Sequence, residues 1–230
     1  TNSNTKKLSS SSNEFIISTK KIYYFQDDEF KPLTEIDYVK KNKVYWFPHS
    51  YHDNFKIPFN KEPKNKLLLT GFVNEKYPFR QLILKLKNEK KYPIDVLEHP
   101  SYRIELKHRL IGKKYIVKLN KYRFGFTCCL NKRTPYIVQK FFEIPGSGSL
   151  LIAYDEHIKK PLRQLGFIDG VNYISVNKDN LIEKLDYIFN EENDDKLEEI
   201  RYNGYEFINK YHRHSNLSLI HISEPTRQDR

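Results

Sequence analysis

At 230 residues, with 38% hydrophobic content, 17 tyrosines and 15 phenylalanines, the chain has enough apolar surface for a packed core, which excludes general disorder. No apolar run approaches the length of a membrane span, and the only cysteines, Cys128 and Cys129, are adjacent, so neither a transmembrane helix nor a disulfide framework is expected. The net charge of +11 is uneven: residues 61–143 carry +13 and residues 144–216 carry −4.

That basic middle segment is compatible with an anionic partner. Lysine, however, outnumbers arginine 30 to 10, whereas readers of nucleic-acid bases lean on arginine, so nucleic acid is not the favoured partner. A reducing, cytoplasmic setting is expected from the cysteine usage. The chain begins at Thr1 and contains no methionine, which leads us to expect a piece of a longer protein.

Residues 1–13, with four serines in a row from Ser9, read as a flexible lead-in. Phe15-Ile-Ile-Ser and Ile22-Tyr-Tyr-Phe are short strand candidates, and Gln26-Asp-Asp-Glu is a polar loop whose Asp27 and Asp28 are read as solvated rather than metal-ligating. Ile36-Asp-Tyr-Val is weakly helical; Val44-Tyr-Trp-Phe-Pro is a strand stopped by proline. From Pro48 to Pro63 the chain is polar, proline-spaced and without periodicity, as in an interdomain linker.

After it the pattern changes. Lys66-Leu-Leu-Leu-Thr-Gly is a continuous apolar run closing on Gly71, the mark of a central parallel strand. Phe79, Leu82, Ile83 and Leu86 then share one helical face within Tyr77–Asn88. Ile94–Leu97 is the next strand, Gly112–Tyr122 a helix burying Tyr115, Ile116 and Leu119, and Phe124–Cys129 a strand. Pro135 is placed to open a helix over Tyr136–Glu143, ending in a glycine-rich turn at Gly146 and Gly148. Ser149–Tyr154 is a buried strand, and Asp155 is expected to cap a helix that stops at Gly166. Tyr173–Val176 is a last strand, before helices over Asn180–Asn190 and Asp194–Tyr211. Regular alternation of strand and helix from residue 66 to 211 predicts an α/β fold: a doubly wound, Rossmann-like parallel sheet with helices on both faces. Ligands of such sheets sit beyond the carboxyl ends of the strands.

The segment Lys140-Phe-Phe-Glu-Ile-Pro-Gly-Ser-Gly resembles the (R/K)-x-F-E-x-x-x-x-G signature of group 1 glycosyltransferases, in the spore-protein-type or virus-encoded branch. Trp46-Phe-Pro-His-Ser, Thr70-Gly-Phe with Tyr77-Pro-Phe-Arg80, Tyr115–Asn120, Leu165–Ile174 and Asn203-Gly-Tyr fall in the order that family shows, so the likeness covers roughly residues 40–214. It implies the GT-B architecture, two Rossmann-like domains with the substrate between them, the C-terminal one binding a nucleotide-sugar donor. This chain would then comprise the last elements of an N-terminal acceptor domain (1–47), an interdomain linker (48–65) and the donor domain (66–216).

On this resemblance Glu143 matches the glutamate that holds the ribose hydroxyls. Lys140, one turn away, is available to balance a diphosphate leaving group. Gly146 and Gly148 are expected to let the turn approach the ligand and to offer free amides to phosphate oxygens. Gly71 is expected to bring backbone to the diphosphate, and Arg80 to reach phosphate oxygens with its forked donors. His49 and His52 lie in the linker facing the cleft, and are read as solvated. His99, His108, His212 and His214 show no metal spacing, so no metal or cofactor is expected.

The acid that other members carry seven positions before the glutamate is replaced by Tyr136, so neither its donor-sugar contact nor a retaining mechanism carries over. The catalytic residues are left unassigned, and the chain alone is expected to be inactive. The acceptor, whether glycan, protein or lipid, is open, as is the choice between UDP- and GDP-sugars. The competing reading is a non-enzymatic module using the basic segment on nucleic acid or another anionic polymer. Finally, Leu217-Ser-Leu-Ile-His-Ile-Ser-Glu-Pro-Thr-Arg227 equals the translation of a transposase adapter used in library preparation, so residues 217–230, His221 included, are read as an adapter-derived tail.

Overall fold

The structure, a computed structural model, describes the strands within residues 7–46 and then residues 48–97, 110–129 and 136–216. Asp27, Asp28, the helix expected near Ile36, His99, His108, Pro135 and the tail lie outside the described residues.

In the first part of the chain, β1 (Lys7–Leu8), β2 (Phe15–Ser18) and β5 (Lys43–Trp46) form one sheet, with β2 parallel to β5. Strands β3 (Tyr23–Gln26) and β4 (Glu29–Pro32) pair as a hairpin, with Gln26 opposite Glu29. The sequence reading has no strand at β4, because Glu, Lys and Pro dilute its only apolar residue, Phe30.

The rest of the described chain is built on five parallel strands: β6 (Lys64–Thr70), β7 (Ile94–Leu97), β8 (Tyr122–Cys128), β9 (Leu150–Tyr154) and β10 (Ile174–Val176). Their spatial order is β7-β6-β8-β9-β10. The chain therefore steps outward once from β6 to β7, returns to place β8 on the other side of β6, and continues outward. Strand order reverses between β6 and β8, and the crevice at that point is where doubly wound sheets bind their ligands.

The helices are α1 (Pro78–Asn88), α2 (Lys113–Asn120), α3 (Lys140–Gly146), α4 (Lys159–Gln164), α5 (Leu181–Ile188) and α6 (Asp194–Tyr211). Side chains of β6 alternate between two cores: Leu67 and Leu69 face α1 and α5, and Leu68 faces α2, α3 and α4. Burying each of these leucines contributes about 2 kcal/mol, which accounts for the unbroken apolar run in a strand covered on both sides. On β8 the same alternation places Gly125 under α3, where a Cβ would lie 2.7 Å from Ile144 Cγ2. The glycine lets α3 sit close on the sheet.

Residues 51–60, expected as a linker, are folded onto the α3/α6 face. Tyr51 is fully buried, its N–H donates to the His212 carbonyl at 2.8 Å, and its carbonyl accepts from the His214 N–H at 2.9 Å. Asp53 is paired with Arg213 at 3.0 Å. His52 accepts from the Asn54 N–H at 3.2 Å and opens a short 3₁₀ turn at Asp53–Phe55. Periodicity is the wrong signal for this segment, because single anchors hold it rather than a repeating face.

Two helix starts differ from expectation. The helix expected over 136–143 runs over Lys140–Gly146 and carries Pro145 inside it. Proline normally ends a helix, but here only one residue of helix follows it, so little is lost. Asp155 does not cap α4, which starts at Lys159. Its buried carboxylate instead accepts from Tyr173 Oη and Ser175 Oγ, both at 2.7 Å, tying the end of β9 to β10.

Candidate donor-binding site

A parallel strand delivers its C-terminal residue to one edge of the sheet, and the helix leading back into the next strand starts from that same edge. Thr70 and Gly71 therefore meet the first turn of α3 and the first turn of α2. Between them lies a cavity of about 280 Å³, lined among others by Thr70, Gly71, Tyr115, Gln139, Lys140 and Glu143. The apolar side is supplied by Leu97, Leu110, Ile111 and Val138.

Gly71 has φ +96°, in the region that favours glycine. A Cβ there would stand 2.8 Å from Arg80 Nη1 and 3.5 Å from Lys140 Cε, so the missing side chain is what lets two cations converge on this backbone. Arg80 is only 3% exposed, far from the surface arginine that a first-turn position implies. Its Nη1 donates to the Phe72 carbonyl at 3.0 Å and its guanidinium lies 4.0 Å from the Tyr77 ring centroid. Its Nε is buried with no hydrogen-bond partner among the described residues. A buried, charged donor left unsatisfied is costly; the guanidinium atom nearest Gly71 is Nη1.

Glu143 and Lys140 open partly into the cavity and are enclosed elsewhere. Burial raises the Glu143 carboxyl above its ordinary value, with Lys140 opposing. Burial likewise lowers the Lys140 ammonium, with Glu143 opposing and Arg80 adding to the fall. Each therefore stabilises the other's charge, and both gain from a polar ligand that restores solvation. Tyr115 completes the wall: its hydroxyl shares a hydrogen bond with Thr70 Oγ1 at 2.9 Å, and Lys140 Nζ stands 5.8 Å from its ring centroid. Burial, then the Glu143 charge, push its phenol up, so it stays neutral.

Of the six residues singled out from sequence, Gly71, Lys140 and Glu143 line this cavity and Arg80 packs against Gly71. Gly146 and Gly148 do not reach it. Helix α3 runs antiparallel to the strands, so its last residue and the turn after it lie at the opposite edge of the sheet. The amides expected to be free there are spent within the turn: Gly148 N–H donates to the Pro145 carbonyl at 2.8 Å and Ser147 N–H to the Glu143 carbonyl at 3.0 Å. Gly146 makes room for Tyr51, whose ring would be 2.9 Å from a Cβ. Gly148, at φ +88°, turns the chain so that its carbonyl accepts from Arg201 Nη1. Both glycines are packing and turn residues.

Thr70 and Tyr115 were read from sequence as the end of a strand, a core position and parts of the family-like segments, with no role of their own at the site. The one available signal was Tyr115 in a first helical turn, where an aromatic ring is as readily core as site. Among the described residues no group of three or more His, Cys, Asp or Glu side chains is placed to hold a metal ion, and no helix is long and apolar enough to cross a membrane.

No protein-family model matches the sequence, and no curated protein is significantly similar to it. Solved structures are. TarM superposes with a TM-score of 0.52 at 14% identity over 78% of this chain and 38% of its own. Sucrose-phosphate synthase from Thermosynechococcus elongatus gives 0.51 at 12% identity, covering 82% and 53%. The pneumococcal O-GlcNAc transferase GtfA, crystallised with UDP and GlcNAc, gives 0.50 at 14% identity, covering 82% and 41%. The fold is that of the C-terminal half of a GT-B glycosyltransferase. At these identities the likeness is one of fold, and this chain spans about half or less of each of these three structures.

Proposed function

We propose that this chain is the donor-binding part of a group 1-type glycosyltransferase and that residues 66–216 bind a nucleoside-diphosphate sugar, UDP- or GDP-linked. Residues 48–65 would join this domain to an acceptor domain ending within residues 1–47, and residues 217–230 are adapter-derived. The observation that carries the reading is the convergence of Gly71, buried Arg80 and Lys140 on one point of the β6/β8 switch, with Glu143 in the same cavity.

Two cations and a side-chain-free backbone suit a diphosphate. As the sugar–phosphate bond breaks, negative charge grows on the leaving diphosphate, and fixed cations in a partly desolvated site stabilise it without reorganisation. A carboxylate that accepts from two neighbouring hydroxyls suits the ribose. GtfA, of the same fold, was crystallised with UDP and GlcNAc, ligands of the class proposed here.

Isothermal titration with UDP and GDP tests the reading through Glu143→Ala. The expected result is a loss of about tenfold or more in affinity for whichever diphosphate binds, the scale of one or two charge-assisted hydrogen bonds, with a melting temperature no lower than that of the parent. Unchanged affinity in the variant would remove Glu143 from the site.

A second reading draws on the other edge of the sheet, where a cleft of about 610 Å³ is lined by Lys66, Lys87, Lys90 and Lys91. It fits a polyanion held by point charges. The aromatic ring in that cleft, Tyr92, is buried, and its hydroxyl is bonded to Asp186, so it offers no stacking platform for bases. Lys66 is already paired with Asp95 at 3.0 Å. The donor reading is therefore the stronger.

A further inference from the structure

The sheet edge opposite the candidate donor site carries charge of both signs, side by side. Basic charge gathers where α1 returns to β7: residues 85–91 hold four lysines against one glutamate, and Lys87, Lys90 and Lys91 line the cleft of about 610 Å³. Acidic charge gathers at the corner between α5 and α6, a 3₁₀ turn over Glu191–Asn193, where residues 186–199 hold seven acids against one lysine. The two groups are neighbours. Tyr92, which lines the cleft, donates to Asp186 and stacks on Phe189 with ring centroids 5.8 Å apart. Asp194 pairs with Arg123, at the start of β8, at 2.7 Å.

Neither group is neutralised within the described residues. The ion pairs there, Lys85–Glu89, Arg123–Asp194 and Lys196–Glu199, leave Lys87, Lys90, Glu191 and Asp195 without an ionic partner among the described residues. Charge at a helix end is ordinary, but Lys90 is not. It closes α1 with φ +55°, the one positive φ outside glycine among the described residues. Its N–H donates to the Lys87 carbonyl at 2.9 Å and the Lys91 N–H to the Leu86 carbonyl at 3.2 Å, a helix stop that glycine makes with less strain. A lysine is held there at a cost in backbone energy, which points to a use for its charge.

A uniform polyanion suits only the lysine half of this edge, because the acidic corner beside it repels one. A partner that covers both halves must present the reverse pattern. A second copy of this chain, turned by a two-fold rotation, does so, and every contact is then made twice. We propose that this edge is a self-association surface, in which the corner bearing Glu191, Glu192 and Asp195 of one copy enters the lysine cleft of another and receives its corner in return. The net charge of +11 opposes association at long range. At about 0.1 M salt, charges more than about 10 Å apart are screened while pairs in contact persist; at about 1 M the screening length falls to about 3 Å and contact pairs weaken too. The dimer is therefore expected at moderate ionic strength and lost at high. Exposed lysine–carboxylate pairs contribute little each, so it is a weak one.

Analytical ultracentrifugation of the full chain, at concentrations on the order of 100 micromolar, tests this. The parent is expected to be a dimer in about 0.1 M salt and a monomer in about 1 M. The variants Lys90→Glu/Lys91→Glu and Glu191→Lys/Glu192→Lys change only exposed side chains. Each alone is expected to raise the dissociation constant about tenfold or more. Mixed in equal amounts, the two are expected to form a 1:1 heterodimer with affinity near that of the parent. Two charge reversals take the net charge from +11 to +7 in one variant and to +15 in the other, so bulk attraction cannot produce that pairing. Circular dichroism confirms folding. A parent that stays monomeric in both salts overturns the proposal, as does a dimer that survives either variant, or a pair of folded variants that do not associate when mixed. Binding of heparin at the lysine cleft without self-association overturns it in favour of a polyanion.

Discussion

Arg80 is held in place by contacts that leave its charge available. The Tyr77 ring stacks on the guanidinium plane, the Phe72 carbonyl takes one N–H, and Nε remains without a partner among the described residues. Lysine in its place would keep the charge and lose both the stacking and the fork. Arg80→Lys is therefore expected to weaken diphosphate binding about tenfold in calorimetry while leaving the protein folded. Gly71→Ala places a methyl group 2.8 Å from Arg80 Nη1 at a φ of +96°. It is expected to cost about 1–2 kcal/mol of stability, read by chemical denaturation, and to weaken diphosphate binding as well. An alanine variant with parent-like stability and affinity would show that the cations do not depend on the bare backbone.

At the scale of elements, α6 is the clasp that holds the glycine turn and the 51–60 segment to the domain. Its Arg201 is fully buried and donates to the Gly148 carbonyl, to the Asn60 carbonyl at 2.8 Å and to Glu198, with its guanidinium 4.0 Å from the Phe59 ring centroid. Arg201→Ala leaves buried carbonyls unpaired and should cost about 3–5 kcal/mol in urea unfolding. A loss below about 1 kcal/mol would mean that water replaces the guanidinium.

Just beyond α6, His212 packs among Phe142, Phe167 and Phe207. Its Nε2 faces the Leu165 carbonyl at 2.9 Å, and its Nδ1 is buried without a hydrogen-bond partner among the described residues. Burial lowers its pKa below the ordinary 6.5, with the Leu165 carbonyl opposing. The unfolded chain takes up the proton first as pH falls, so this contribution to stability is intact above pH 6.5 and declines below it. The denaturation midpoint should fall between pH 7 and 5, and His212→Phe should flatten that slope.

None of this clasp could be read from the sequence. Arg201 sits at an ordinary helical position, and its partners are carbonyls distant in the chain. By contrast β6, α1 and α6 were legible because periodicity and apolar runs report burial directly. The start of helix α3 was placed four residues early, at Tyr136 rather than Lys140, because Pro135 looks like a helix opener.

For the whole molecule, topology decides where ligands go. The strand order β7-β6-β8-β9-β10 puts the reversal between β6 and β8, so Thr70, Gly71, Lys140 and Glu143, separated by up to 73 positions in the chain, share one cavity. The opposite edge presents the lysine-lined cleft. Binding there is expected to be weak and to fall steeply with salt, since exposed lysines contribute little once screened. The sequence reading named Gly71, Lys140 and Glu143, which line one cavity; it did not reveal that the glycine-rich turn and the first turn of the same short helix face opposite edges. That follows only from the antiparallel run of α3 against the strands.

Amide chemical-shift mapping of the full chain during titration with UDP and GDP tests this account most directly. The predicted result is a contiguous set of shifts at Gly71, Phe72, Arg80, Tyr115 and Lys140–Glu143, with Gly148 and Lys87–Lys91 unmoved. Shifts centred on the Gly146–Ser149 turn or on the lysine cleft, or no shift with either nucleotide at millimolar concentration, would contradict it.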